Sequence, residues 1–363
     1  MPRARSRPLR TSRQADSSID LARLLDLVSA FSRQTVCVLG DFVLDEFVSG
    51  EISRVSREAP VLILRHRHTE FYPGGGANAA MNLASLGARV RVVGVVGDDA
   101  GGNVLIDRFR AHKIDTRGLQ RIGEWTTPVK TRYLAGWTHT TEQQVLRVDR
   151  EPTGALPEDA LDTLERNARC AVKDADAVLV SDYGFGAATP ASVQKIGARQ
   201  LGSKRVTLDS RYRLLEYRDC GITAATPNES EIEAAYHVKV GANTTKLEEL
   251  GARAVEDIGL EALIVTRGKD GLVVFEAAGN GGAKKRLLHH LPIYGSDEAV
   301  DVTGAGDTVI AVFTLALAVG ASHLEAAHLA NYAGGIVVMK RRTAIVTRVE
   351  LENALRGEAT ARR

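Results

Sequence analysis

Asp301-Val302-Thr303-Gly304-Ala305-Gly306-Asp307-Thr308, followed by the apolar run 309–319, is the stretch from which the fold can be read. Two glycines and an alanine leave backbone N–H groups uncovered where a helix begins, and the helix dipole adds partial positive charge there. Such a turn is an anion hole suited to phosphate. Asp307 lies in the same first turn, where a carboxylate is stabilised and can take a proton from a hydroxyl facing the bound phosphate. A Gly-rich loop with an ordinary N-terminal Asp cap has the same letters, so the rest of the chain decides between them.

About 230 residues upstream stands Pro73-Gly74-Gly75-Gly76-Ala77-Asn78-Ala79-Ala80-Met81-Asn82-Leu83-Ala84-Ser85-Leu86-Gly87. Three glycines permit close backbone approach, and apolar residues then recur at helical spacing up to Gly87. The segment reads as loop, helix, stop. Backbone bared by glycine can hold a sugar hydroxyl or phosphate, and the Asn78 amide offers a donor and an acceptor. A tight strand-to-helix turn explains the same residues.

Strand-like runs 35–40, 89–96, 177–181, 205–209 and 262–266 alternate with helical stretches 77–86, 101–112, 157–171, 190–199 and 229–236. That alternation predicts an α/β fold, a mostly parallel sheet covered by helices on both faces. Segments 46–68 and 118–148 instead alternate every second residue, as in Val129, Thr131 and Tyr133. They are expected to form a small β-lid, discontinuous in sequence at about 45–72 and 117–149, over one end of the main domain. A lid of this kind keeps water from competing for a phosphoryl group. Its uncovered apolar face predicts a homodimer through the lid. The Gly-rich stretch 277–285 reads as a hairpin tip.

With 363 residues, 44% hydrophobic and 25% charged, the chain has ordinary globular composition. The longest apolar run is interrupted by Thr314 and falls short of the roughly 20 residues a bilayer needs. No membrane partner is expected. Cys37, Cys170 and Cys220 have no metal-like spacing, and an odd number of scattered thiols fits a reducing cytoplasm rather than a disulfide framework. His66, His68, His289 and His290 fall on strand-like runs and are assigned structural roles rather than metal ligation. Five arginines between Met1 and Gln14 account for the net charge, since subtracting them takes +2 to −3. The folded body is therefore not basic, and no nucleic-acid partner is expected. Residues 1–17 read as a disordered basic tail, with a transit peptide as the other reading of an Arg- and Ser-rich, acid-poor segment.

Residues 74–87 and 301–308 resemble the two signature motifs of the ribokinase (PfkB) family of sugar kinases, in the right order and separation. The resemblance runs over nearly all of 35–356, within a kinase domain expected at 18–356 and followed by a tail at 357–363. Gly40-Asp41 with Leu44-Asp45, the run 53–60, Ser181-Asp182-Tyr183, 226–231 and the ending 350–354 are similar to the kinase domain of D-glycero-β-D-manno-heptose-7-phosphate kinases. The resemblance implies a ribokinase-like three-layer sandwich with a small β-sheet lid, using ATP and Mg²⁺, and in some members K⁺. It implies Asp307 as general base, with the N–H groups of Gly304, Ala305 and Gly306 stabilising the transferring phosphoryl group. Asp41, Gly74, Gly75, Gly76, Asn78, Asp182 and Arg211 would meet the acceptor sugar phosphate. Thr266, Arg267, Gly268, Gly271 and Asn331 would border the nucleotide. Asn228 and Glu231 would position it with a magnesium ion, Glu231 acting through water. By their residues alone, Asn228 is a helix cap, Glu231 its capping-box partner, and Asn331 part of a helix polar face.

Heptose kinases are often fused to a cytidylyltransferase domain with a His-x-Gly-His motif. That motif does not follow here, so the chain is expected to be the kinase half alone. Phe185 stands where the heptose kinases have a lysine, Ser210-Arg211 where they have Pro-Lys, and Arg342 where they have glycine before Thr343. Arg211 still suits a phosphate, bidentately. Three readings stay open: a heptose 7-phosphate kinase acting on the anomeric hydroxyl, a kinase of another sugar or sugar phosphate, and a catalytically silent sugar- or nucleotide-binding regulator. An intact loop with Asp307 argues against the last.

Overall fold

The computed structural model describes residues 11–13, 19–137, 142–241, 243–278 and 285–361. Thr35–Gly40 is a strand buried along its length, with side chains alternating between two cores. Val36 and Val38 enter one; Cys37 and Leu39 enter the other. A strand buried on both faces needs paired neighbours and helices above and below. Its neighbours, Ala177–Asp182 and Arg89–Gly97, are both parallel to it. The full order is Asp115–Ile122, Arg89–Gly97, Thr35–Gly40, Ala177–Asp182, Arg205–Ser210, Ala224–Ala225, Ala262–Thr266, Leu272–Ala278, Lys285–Leu291 and Thr11–Arg13. Pairing is parallel up to Ala262–Thr266 and antiparallel through the next two strands. Thr11–Arg13 adds a parallel strand against residues 286–288. Three residues expected in a tail outside the fold thus lie on the sheet edge, where unpaired backbone groups accept an extended chain.

Helices Leu21–Ala30, Gly76–Ser85, Ala100–Ala111, Ala305–Ala318, His323–Val337 and Arg348–Ala361 cover one face, while Glu158–Lys173, Pro190–Ile196, Glu229–Tyr236 and Thr244–Ile258 cover the other. This is the three-layer sandwich that the alternation predicts. The apolar run after the first motif is a core helix, buried from Asp307 to Leu317. Its one polar interruption is satisfied: the Thr314 hydroxyl donates to the Ile310 carbonyl at 2.7 Å and lies 2.6 Å from the Thr207 hydroxyl. Among the described residues no helix is long and apolar enough to cross a membrane.

The second sheet runs Leu62–Gly75, Phe42–Val55, Val129–Gly136, Gln143–Arg150. It departs from the expected lid at one place. Asp115–Ile122 belongs to the main sheet, parallel to Arg89–Gly97, so residues 117–122 are not lid. A half-buried edge strand alternates every second residue as a lid strand does, and period two cannot tell them apart. The expected hairpin tip falls largely on 279–284, outside the described residues, but the strands flanking it do pair antiparallel. His66 lies 3.0 Å from the Thr69 hydroxyl, and His68, His289 and His290 each face a glutamate.

Candidate active site

Gly304 caps the helix Ala305–Ala318 in a left-handed conformation, φ +78°. A Cβ there would sit 2.5 Å from Asn78 Nδ2 and 2.9 Å from a Thr343 methyl, so only glycine fits. A Cβ on Gly306, by contrast, would meet nothing within 4 Å. The Ala305 N–H is not free for a ligand, because it donates to the Val302 carbonyl at 3.2 Å. The N–H groups of Gly306 and Asp307 have no hydrogen-bond partner among the described residues, and they are the ones left open to an anion.

Asp307 is 4% exposed, and both its oxygens are engaged. Tyr183 Oη donates to Oδ1 at 2.7 Å, and Asn78 Nδ2 donates to Oδ2 at 3.0 Å. Burial pushes its pKa up from 3.8 to about 7, against the lowering effect of those two bonds and of Lys130, with Asp45 adding to the rise. A carboxyl poised near neutrality inside a protected site is matched to general-base work. Asn78 is held in turn by Asn82, whose Nδ2 donates to Asn78 Oδ1 at 3.1 Å while its Oδ1 accepts the Val346 N–H at 2.9 Å.

Gly74, Gly75 and Gly76 are buried and give room more than they face a ligand. A Cβ on Gly74 would lie 2.6 Å from Asp45 Oδ2, one on Gly75 3.1 Å from the Tyr183 ring, and one on Gly76 3.1 Å from the Asp41 carbonyl. Asp45, which the sequence placed in a matched motif without giving it a role, is part of the site. It is 4% exposed, pairs with Arg132 Nη1 at 2.6 Å, and accepts from the Thr343 hydroxyl at 2.8 Å. Lys130, on the same lid strand as Arg132, was missed. It is 8% exposed, its ammonium lies 5.0 Å from the centroid of the Tyr183 ring, and it has no ion-pair partner among the described residues. Burial and then Arg211 lower its pKa. The two-residue alternation of 129–133 was the available signal, since it set Lys130 and Arg132 apart from the Val129 face.

Two expected acceptor residues turn inward. Asp41 Oδ2 accepts the N–H groups of Tyr183 and Phe185, and Oδ1 that of Ala187, each at 2.9 Å. It shapes the loop carrying Tyr183 rather than meeting a sugar, and burial raises its pKa to about 6. Asp182 accepts from Arg213, from the Ser210 hydroxyl at 2.9 Å, from Tyr217 Oη at 3.0 Å and from the Gly184 N–H at 3.0 Å. With its lone pairs filled, it braces the site from behind. Tyr183, its neighbour across the strand pleat, faces Asp307 instead.

Beyond Gly306 opens a cavity of about 310 Å³. Thr266, Gly268, Gly271, Ala305, Gly306 and Asn331 line it, as expected of a nucleotide site. The Asn331 amide donates to the Pro292 carbonyl at 2.7 Å. Tyr294 and Val309 supply apolar wall. Arg267 does not line it. Its guanidinium turns to Glu229, 2.9 Å away, because the chain reverses at Gly268.

Residues 34–348 match the model of the pfkB family carbohydrate kinases. The chain belongs to this family. The kinase is 35% identical over 336 residues to the Bifunctional protein HldE of Desulfatibacillum aliphaticivorans, 38% over 338 residues to that of Chromohalobacter salexigens, and 39% over 330 residues to that of Haemophilus influenzae. These alignments cover 90–93% of the chain and 64–66% of the relatives, so the kinase spans just under two thirds of their length. Among solved structures, it is similar to Arabidopsis thaliana ribokinase complexed with ribose and ATP, at TM-score 0.67 and 18% identity, covering 89% of this chain and 98% of that one. Phosphofructokinase-2 from Escherichia coli in complex with substrates and products gives TM-score 0.70 and 18% identity, covering 90% and 99%. At that identity the likeness speaks for the fold. The family is one of carbohydrate kinases.

In this kinase Asn228 and Glu231 form the capping box that their letters allow. Asn228 Oδ1 accepts the Glu231 N–H and Glu231 Oε2 accepts the Asn228 N–H, both at 2.9 Å. Burial raises the carboxyl pKa of both Asp209 and Glu231; the Glu231 charge adds to the rise at Asp209, and Arg211 opposes both rises. Arg211 itself is exposed at the rim, 5.5 Å from the Tyr212 ring centroid. Phe185 packs against the second core and lines a separate apolar hollow with Leu156 and Leu161.

Proposed function

We propose that this kinase moves the γ-phosphoryl group of ATP to the anomeric hydroxyl of D-glycero-β-D-manno-heptose 7-phosphate, yielding the 1,7-bisphosphate and ADP. The observation that carries the reading is the position of Asp307. On one side Gly306 opens to the nucleotide cavity; on the other, the lid brings Asp45 and the buried Lys130, which has no ion-pair partner among the described residues, toward the same carboxylate. An acceptor hydroxyl between them loses its proton to Asp307 as its oxygen bonds to the γ-phosphorus, and the bond from that phosphorus to the β–γ bridging oxygen breaks. The N–H groups at Gly306 and Asp307 take up the charge on the transferring group. Lys130 and Arg211, close enough to interact, suit an acceptor that carries its own phosphate. The name of the relatives and the motifs shared with heptose kinases support the seven-carbon sugar.

Magnesium fits this site in a particular way. No cluster of three acidic, His or Cys ligands forms among the described residues, yet Asp209 and Glu231 are both buried carboxyls and the Glu231 charge raises the Asp209 pKa. They would hold a hydrated hard cation through its waters, and the ion would neutralise phosphate charge. Exposed Leu62, Val145, Leu146 and Val148 on the lid support a homodimer, which light scattering tests.

The replacement of lysine by Phe185 favours a second reading, a kinase of another sugar. ADP release is measured with D-glycero-D-manno-heptose 7-phosphate, fructose 6-phosphate, fructose, ribose and adenosine, with Mg²⁺ and with K⁺ or Na⁺, and the product is identified by phosphorus NMR. A win of more than about tenfold in kcat/KM, some 1.4 kcal/mol, for an unphosphorylated sugar overturns the heptose phosphate.

A further inference from the structure

Arg342 is a non-glycine residue at φ +67°, a backbone conformation that side chains disfavour. It follows the Asp301 loop closely: its N–H donates to Asp301 Oδ2 at 2.9 Å, and Asp301 Oδ1 holds the Thr303 N–H at 2.9 Å, one residue before the helix-capping Gly304. From this place the side chain crosses to the lid. Nε donates to Glu70 Oε2 at 3.2 Å, Nη2 to Glu142 Oε2 at 3.1 Å and to the Ser49 hydroxyl at 3.4 Å, while the guanidinium lies 5.0 Å from the Phe47 ring centroid. The guanidinium is 17% exposed, against 37% for Glu70 and 25% for Glu142, so these contacts are partly shielded from solvent. The ring of Phe47 has Arg132 at 5.2 Å, and Arg132 in turn pairs with Asp45 in the acceptor cleft. The neighbouring Thr343 reaches Asp45 as well.

We infer that Arg342 is a positioning residue that latches the lid to the anion-hole loop, so that the acceptor rather than water receives the phosphoryl group. A left-handed backbone directs the side chain out of its own loop toward the lid, and charge-assisted bonds to Glu70 and Glu142 offset the strain. The inference rests on the kinase reading, in which the acceptor lies under the lid.

The test uses Arg342→Gly, which suits the backbone angle and removes the guanidinium, with Glu70→Gln/Glu142→Gln as an independent way to open the latch. In both, KM for the acceptor rises about tenfold, the equivalent of one charge-assisted bond. KM for ATP moves by less than about twofold, and ATP hydrolysis without acceptor increases relative to transfer. Hydrogen exchange quickens in Phe42–Val55 and Leu62–Gly75 but not in the core strand Thr35–Gly40. Equal acceleration in the core strand, or unchanged lid exchange with unchanged acceptor KM, overturns the latch. Exchange is read with no acceptor present, so it decides the latch even if the heptose phosphate proves to be the wrong substrate.

Discussion

Replacing Asp307 by Asn should separate catalysis from stability. The carboxyl titrates at about 7 in the folded protein against 3.8 in its absence of environment, mainly through burial. The interval of about three units corresponds to roughly 4 kcal/mol at about 1.4 kcal/mol per unit. Because the folded pKa is the higher one, the native state holds the proton longer than the unfolded chain does. Its stability contribution is present below about pH 4, declines as pH rises toward 7, and is gone above it. Asn cannot ionise, so the variant escapes that decline. It also costs something: Tyr183 Oη and the Asn78 amide both donate to the carboxylate, and an amide leaves one of those donors facing another donor, a loss of about 1–3 kcal/mol. The net expectation at pH 8 is a variant about 1–3 kcal/mol more stable than wild type, with turnover lower by about 10²–10⁴-fold. At pH 4 the gain disappears, leaving only the loss. Denaturant melts at pH 4, 6 and 8 measure the first quantity, steady-state kinetics the second, and calorimetry shows whether ATP affinity holds. Wild-type kcat/KM should rise with pH through about 7 and the residual activity of the variant should not. More than roughly a tenth of wild-type turnover in the variant would refute Asp307 as the base.

Gly304→Ala should destabilise the protein by about 1–3 kcal/mol and depress turnover, since a Cβ at φ +78° meets the Asn78 amide at 2.5 Å; thermal melts and kinetics check both. Gly306→Val should fold normally, its Cβ having open space, yet lose nucleotide affinity because the branch fills the cavity mouth, as ATP calorimetry would show. Lys130→Met should raise KM for a phosphorylated acceptor by about 10–100-fold with ATP KM unchanged; an equal rise for an unphosphorylated sugar would mean the ammonium does not read the acceptor phosphate.

Much of this kinase was legible in its residues. The glycine-rich turn before an apolar helix, the second glycine loop ending at Gly87, and the strand–helix alternation are local patterns, and local backbone preference with burial periodicity determines them. Asp307 and the cavity glycines lie where a helix start or a turn places them, whereas Asn78, expected at the acceptor, donates to Asp307 and to the Gly304 carbonyl. Side chains whose direction depends on distant partners were another matter. Asp41 and Asp182 carry the right chemistry at strand ends, but their oxygens are taken by loop N–H groups, Arg213 and Tyr217. Arg267 turns away because Glu229 lies across the bend. Asp45, Lys130 and Arg342 gain their roles only when the lid is laid over the body, through contacts between residues up to 298 apart in sequence. The sequence by itself determined which segments could be strands, helices and phosphate-binding turns, because those depend on neighbours a few residues away. The tertiary structure alone decided which charged side chains face the cleft, because desolvation and pairing depend on what packs against each group in space.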